Sequence, residues 1–293
     1  MTPGTRLRDS TRVLLVVGVM GLTAPAVPAF AGSAEDLGPY ARSAAEYDYS
    51  ARALRFYHQY TPAANTRARE IYARGLQDFP DSVWLKNGLA WTYIQDLAYL
   101  RSKDPAGDID RAYRLATEAS VANEAVGSAS WPNHWALVSL SLFHDHDAAR
   151  AIAEAKTVDR LMPDDARARS NLAYWVALAG DLPLATEWAE WAVRQEPGGP
   201  KWMGGNLGSV YWLAGRYQEA LAKLLPAKED FPDFLAITYV ALGQTDAARA
   251  TVAEWRKADP SVTVAKMTVF TPMAPAVLQK YLDGLRKAGL PES

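Results

Sequence analysis

Apolar and small residues recur along this chain at spacings of three and four, and turn residues interrupt the recurrence at intervals. That spacing lays the apolar positions along one side of an α-helix. Between Tyr40 and Tyr60, the set Tyr47, Ala51, Leu54, Tyr57 and His58 predicts a first helix, ended by Thr61-Pro62. Thr66–Phe79 predicts a second, with Ala68, Tyr72, Gly75 and Leu76 inward and Pro80 as its stop. Asp81 or Ser82 can cap a third through a side-chain oxygen. Its inner face is Trp84, Leu89, Ala90 and Tyr93, and it runs on toward Leu100. The turn-rich Ser102–Gly107 breaks it, and Asp108 caps a fourth helix carrying Ala112, Leu115, Ala116 and Ala119.

From Pro132 onward the register is regular. Counting Lys201 as position one of Lys201–Pro232, Leu207 is seventh, Gly208 eighth, Tyr211 eleventh, Gly215 fifteenth, Tyr217 seventeenth, Ala220 twentieth, Leu224 twenty-fourth, Ala227 twenty-seventh and Pro232 thirty-second. Trp135, Val138, Ser139, Leu142, Ala151, Ala155 and Pro163 match this template, as do Leu172, Ala173, Gly180, Ala185, Ala192 and Pro197. His146, Gly180 and Gly215 share one turn position. The pattern resembles the tetratricopeptide repeat (TPR), a helix–turn–helix unit of about 34 residues. The resemblance implies an all-α fold: a TPR superhelical solenoid of five or six antiparallel helix pairs. Small residues at positions eight and twenty allow close helix approach. A last unit runs from Phe234 through Gly243 to Pro260, its first helix shortened by about two turns. Ser261–Phe270 reads either as a short helix or as an extended piece, since Val262, Thr263 and Val264 are β-branched. Pro275–Ala288 predicts a capping helix with Leu278, Tyr281, Leu282 and Leu285 inward, covering the last repeat's open face and closed by Gly289 and Pro291.

The organisation expected is a leader over residues 1–31, a loose segment 32–39, repeats over 40–260, and the cap helix with its tail over 261–293. Arg6, Arg8 and Arg12 precede the apolar run Val13–Ala24, and Ala29-Phe30-Ala31 supplies a small–x–small site. These are the parts of a secretory signal peptide cleaved after Ala31, so the mature protein is expected to be periplasmic or secreted. The alternative, an uncleaved anchor, sits poorly with a run shorter than the roughly 20 residues a span needs. Net charge is −2, and losing a leader of three arginines and one aspartate leaves −4. No basic stripe offers itself to nucleic acid. With no cysteine, disulfides, thiolate metal sites and cysteine nucleophiles are excluded.

RALRFYHQYT at Arg52–Thr61, the repeats that follow, and YLDGLRKAGLPE at Tyr281–Glu292 resemble the TPR half of bacterial proteins that join a class III adenylate/guanylate cyclase domain to TPRs. In that family the cyclase precedes the repeats and holds the metal-binding aspartates. Here a leader stands in that place, so the resemblance implies fold and ancestry without cyclase activity.

TPR resemblance also implies a concave face lined by first helices, where an extended peptide or helix binds. The positions pointing there are Asn133, Ala136, Leu140 and Phe143, then Arg167, Ser170, Asn171 and Tyr174, then Trp202, Asn206, Ser209 and Trp212. Asn171 and Asn206 share position six, where an amide can both donate to and accept from a peptide group. Trp202 and Trp212 add rigid contact area. The competing reading packs the tryptophans between units, as it does Trp84, Trp91, Trp135, Trp188 and Trp191. The peptide-binding set is thus Arg167, Asn171, Tyr174, Trp202, Asn206, Ser209 and Trp212, centred beside the shortened unit, where the groove should open.

His144-Asp145-His146-Asp147 is the one cluster of metal-ligand types, with His134 near the start of the same unit. Its neighbouring side chains diverge, so solvated turn residues with Asp147 as a helix cap is the simpler reading. His58 reads as a partly buried helix residue. There is no phosphate loop, G-x-S-x-G elbow or H-E-x-x-H motif, and Gly204-Gly205 follows no strand. The expected function is a non-catalytic scaffold for a protein or peptide, without cofactor. The alternatives are a metal-binding protein or enzyme using the histidine turn, and a self-associating module, a homo-oligomer.

Overall fold

The computed structural model describes residues 43–125 and 131–293. The leader, the segment 32–39 and the start of the repeats at Tyr40 lie outside them. Regular structure among the described residues is entirely helical, and no helix there is long and apolar enough to cross a membrane. They form two compact units, one ending at Pro163 and one spanning Asp164–Ser293.

The N-terminal unit contains α1 (Ala44–Tyr57), α2 (Pro62–Asp78), α3 (Val83–Ala98), α4 (Pro105–Ala125), α5 (Trp131–His144) and α6 (Ala148–Leu161). Short polar residues start most of these helices. Ser43, Thr61, Ser82 and Asp147 accept hydrogen bonds from the N–H groups of Glu46, Ala64, Leu85 and Arg150. Each satisfies a donor that the first helical turn leaves free. Three local expectations are corrected. The buried stripe of α1 is Glu46, Ser50, Ala53 and Tyr57, one position round from the aromatic set, because the packing follows the small residues. Thr61-Pro62 both ends α1 and begins α2, with proline in the first turn, where its missing N–H costs nothing. The cap of α4 is Asp104, which accepts from Gly107 N–H at 3.1 Å, while Asp108 is buried under Ser102 and Arg111. The stretched second segment is a single pair, α3 with α4.

The C-terminal unit contains α7 (Ala166–Leu178), α8 (Leu182–Gln195), α9 (Lys201–Leu213), α10 (Tyr217–Leu224), a 3-10 turn at Leu225–Ala227, α11 (Pro232–Ala241), α12 (Thr245–Ala258), α13 (Val264–Phe270) and α14 (Pro275–Lys287). The shortening before Gly243 is shared: α10 and its 3-10 turn span 8 and 3 residues against 14 for α8, and α11 spans 10 against 13 for α9. Pro226 sits in the 3-10 turn and Pro232 opens α11, so both ends are set by proline. The ambiguous stretch is helical as α13. Thr263 caps it and Val264 and Met267 point inward, which outweighs the β-branched propensity.

Each first helix closes on a left-handed residue. Tyr60, Leu100 and His146 take φ of 52°, 55° and 52°, and Gly180, Gly215 and Gly243 take 99°, 78° and 73°. Close approach explains a glycine at position eight: a Cβ on Gly208 would lie 2.7 Å from Leu224 Cγ.

Candidate functional site

The expected binding residues of the C-terminal unit lie on its first helices, α7, α9 and α11, and most of them are buried. Asn171 and Asn206 are 0% exposed and bonded to each other, Asn206 Nδ2 donating to Asn171 Oδ1 at 3.0 Å. The same amide lies 3.3 Å from both Ser170 O and Ser170 Oγ. The position-six asparagines therefore form a ladder from α7 to α9. Asn171 Nδ2 and Asn206 Oδ1 are left buried without a partner. Ser209 turns back to its own helix, its hydroxyl donating to Gly205 O at 3.0 Å.

Tyr174 and Trp212, each 3% exposed, belong to an aromatic cluster around Phe234. Ring centroids are 6.1 Å apart for Tyr174–Phe234, 5.8 Å for Trp212–Phe234 and 5.5 Å for Phe234–Tyr281. Tyr281 comes from α14. Its hydroxyl donates to Asp233 Oδ2 at 2.7 Å, and both side chains are buried. Burial raises the Asp233 carboxyl to about 6, partly offset by the Tyr281 hydroxyl and the backbone N–H groups at the start of α11. Burial pushes the Tyr281 and Tyr174 phenols up, and the Asp233 charge adds to both. Lys280 Nζ stands 4.6 Å above the Trp212 ring. Gly284 meets Ile237 so closely that an added Cβ would be 2.9 Å away. Just ahead of α14, the Ala274 N–H donates to Leu178 O at the end of α7.

The terminal helix packs on the last repeat, as expected, and reaches beyond it to Trp212 of α9. A helix stacked as the next repeat touches both helices of the preceding pair, as α9 touches α7 and α8. Instead, α14 packs on α11, meets Trp212 of α9, and is led in from the end of α7. No opening lies beside Trp212, because Phe234 and the α14 helix fill it. One signal for this was present. Phe234–Ile237 is an unbroken apolar run, and a helix apolar on every side there has every side covered.

Arg167 and Trp202 remain partly exposed. The Arg167 guanidinium grips Glu196 at 2.6–3.2 Å, which lowers the Glu196 carboxyl below its usual range. Together with Asp164, Asp165, Trp191 and Gln195 they line an open depression of about 690 Å³. In the N-terminal unit, Ala136 and Leu140 are core, packed with Ala90, Ile94, Ala112 and Ala116. Asn133 and Phe143 are also buried, and with its amide O and N exchanged Asn133 donates to Ala116 O at 3.1 Å and accepts from Ser120 N–H at 3.2 Å. These four face neighbouring helices rather than a groove, because α5 nests between α3 and α4.

Trp135 and Trp188 are buried, whereas Trp84, Trp91 and Trp191 are half-buried. The Arg169 guanidinium lies 3.9 Å over the Trp191 ring. At the histidine turn, His144 stacks on Tyr113 at 4.1 Å and pairs with Asp145, and Asp147 caps α6. His134 bonds Glu154 at 2.6 Å. Half-buried His58 is pushed below its ordinary pKa by burial. Among the described residues no three His, Asp or Glu side chains converge as metal donors.

No family model matches the chain, and neither does any curated protein sequence. Solved structures do. A tetratricopeptide repeat protein from Parabacteroides merdae ATCC 43184 superposes with TM-score 0.55 at 10% identity, over 82% of this chain and 84% of that one. The APC/C hetero-tetramer Cut9–Hcn1 gives 0.56 at 15%, over 85% of this chain and 44% of the other. Pseudomonas aeruginosa pilF gives 0.50 at 11%, over 82% and 97%. At such identities the likeness is one of fold, and that fold is the all-α tetratricopeptide-repeat solenoid of antiparallel helix pairs.

Proposed function

We propose that this chain is an exported, non-catalytic scaffold that holds a protein partner on the first-helix face of its C-terminal unit. The observation that carries this reading is the packing of a helix, α14, on α11 and against Trp212 of α9: this face takes a helix of the chain's own. The likeness to Cut9–Hcn1, a hetero-tetrameric assembly, supports a partner of protein rather than nucleic acid. Arg167, Asn171, Tyr174, Trp202, Asn206, Ser209 and Trp212 are kept as the contact set. Arg167 and Trp202 are partly exposed, whereas Tyr174 and Trp212 pack on Phe234. Shared ancestry with the TPR half of cyclase–TPR proteins rests on the Arg52–Thr61 and Tyr281–Glu292 segments.

Export is tested by N-terminal sequencing of the protein from a periplasmic fraction. A start at Gly32 supports it, and an intact Met1 in the cytoplasm refutes it. The scaffold reading is tested by affinity recovery from that fraction, comparing wild type with Arg167→Ala plus Trp202→Ala. A protein lost from the double variant, at unchanged helicity, is the expected result. Equal recovery would remove those two residues from the site.

A further inference from the structure

We infer that Arg101, together with the rings of Tyr99, Tyr60 and His58, forms a binding site for a small aryl carboxylate on the edge of the N-terminal unit. The site lies in the turns that follow α1 and α3, past the ends of the first helices, and does not depend on the scaffold reading. Tyr60 and Leu100 both take left-handed backbone, with φ of 52° and 55°. The second turn brings Arg101 against the first. Its Nη1 donates to Tyr60 O at 2.9 Å, and its guanidinium lies 4.4 Å from the Tyr99 ring centroid. The Tyr99 and Tyr60 rings stand 6.3 Å apart, and those of Tyr60 and His58 6.4 Å. All four residues are half-buried.

Arg101 differs from other half-buried arginines in the edge it leaves open. Arg69, Arg167 and Arg216 each direct Nε and Nη2 onto acceptors of the chain: Thr92 with Asp96, Glu196, and Glu219. Arg101 uses Nη1, and among the described residues no carboxylate stands within ion-pair distance of it. Hydrogen-bonded carboxylates raise the pKa of Arg167 and Arg216, whereas burial lowers that of Arg101 against the pull of Tyr99 and Asp96. A partly desolvated cation without an anion is unfavourable, and a bound anion would relieve it. The open Nε–H and Nη2–H groups are the parallel pair that takes a carboxylate bidentately, as Arg167 takes Glu196. A phosphate dianion would set its second charge in the field of Asp96, so a singly charged head fits better. The phenol and imidazole rings beside the guanidinium then offer flat contact area, with polar tips, to a ring carried behind the carboxylate.

The probes are benzoate, acetate and inorganic phosphate, each titrated into the full chain at constant ionic strength. The readout is the ring-proton NMR resonance of His58, one of four histidines, assigned with His58→Gln. Benzoate should shift it along a saturable curve, and Arg101→Gln should weaken that binding by about tenfold or more. Arg101→Lys should weaken it in the same way, because an ammonium keeps a donor for Tyr60 O but lacks the parallel pair. Tyr60→Gly removes a ring while suiting the left-handed turn, so it keeps the test open should Arg101→Gln fold poorly. That variant should bind benzoate more weakly and acetate as wild type does. Benzoate that binds Arg101→Gln or Tyr60→Gly as tightly as wild type, or leaves the His58 resonance unmoved, overturns the inference. Arg101 would then be a tie between two turns. Acetate as tight as benzoate would mark an adventitious ion only, and tighter phosphate would overturn the aryl carboxylate class.

Discussion

The Tyr281 hydroxyl donates a 2.7 Å hydrogen bond to Asp233 Oδ2 across 48 residues of chain, between two fully buried side chains. It joins the last helix to the first turn of α11. A lone carboxylate in that position would be costly to charge, and the Tyr281 phenol is its side-chain donor.

A pH dependence follows with a definite sign. The folded Asp233 carboxyl is raised to about 6, against an ordinary value of 3.8. Protons therefore bind the folded state more tightly. The stabilisation is fully present below about pH 4 and is lost as pH rises through 6. The groups bearing on it are the Tyr281 and Tyr174 phenols and the Phe234 N–H. On this account the C-terminal unit gains on the order of 2 kcal/mol between pH 7.5 and 4.5 from this group. Denaturant midpoints of wild type minus Asp233→Asn, followed by tryptophan fluorescence, isolate it. A difference that is flat with pH contradicts the assignment.

Tyr281→Phe at neutral pH leaves the Asp233 carboxylate buried without its phenol. The expected loss is roughly 1–3 kcal/mol by equilibrium unfolding. Doubling the change with Asp233→Asn should recover part of it, since the two side chains act as one pair.

Two adjacent glycines in α9 should respond with opposite signs. A Cβ on Gly205 would fall 2.1 Å from the Phe231 ring, while on Gly204 the nearest atom is 3.7 Å away. Gly205→Ala should lose about 1–3 kcal/mol to overpacking. Gly204→Ala should gain up to about 1 kcal/mol from helix propensity. Thermal midpoints of the two variants would separate them, and a shared sign would refute the packing described.

His146 stands at a φ of 52° in the turn where the later units have glycine. Relief of that strain predicts that His146→Gly is neutral to stabilising, by up to about 1 kcal/mol. Gly180→Ala, at φ 99°, should cost at least about 1 kcal/mol. Calorimetry of both variants tests the equivalence of the two turns.

His144 packs flat on Tyr113, so His144→Ala should lower the thermal midpoint by removing a stacked ring. A metal-dependent rise in wild type that disappears in His144→Ala plus His146→Ala would revive the metal-binding alternative.

Local chemistry made much of this fold legible. Side-chain caps at Ser82 and Asp147 act within three residues, so the local sequence can place them, whereas Thr61 read only as a helix end and is also a cap. The shared turn of His146, Gly180 and Gly215 is likewise a matter of spacing, and all three take left-handed backbone. The candidate site was legible only by position. Asn171 and Asn206 occupy equivalent places in successive first helices, yet their exposure depends on what lies across those helices. Tyr281 meets Asp233 and Gly284 meets Ile237 because α14 turns back over α11 instead of continuing the stack. Periodicity specifies which side of a helix is apolar, and α14 has its apolar side wherever it docks. The choice of docking surface depends on long-range shape and burial, which no local spacing encodes.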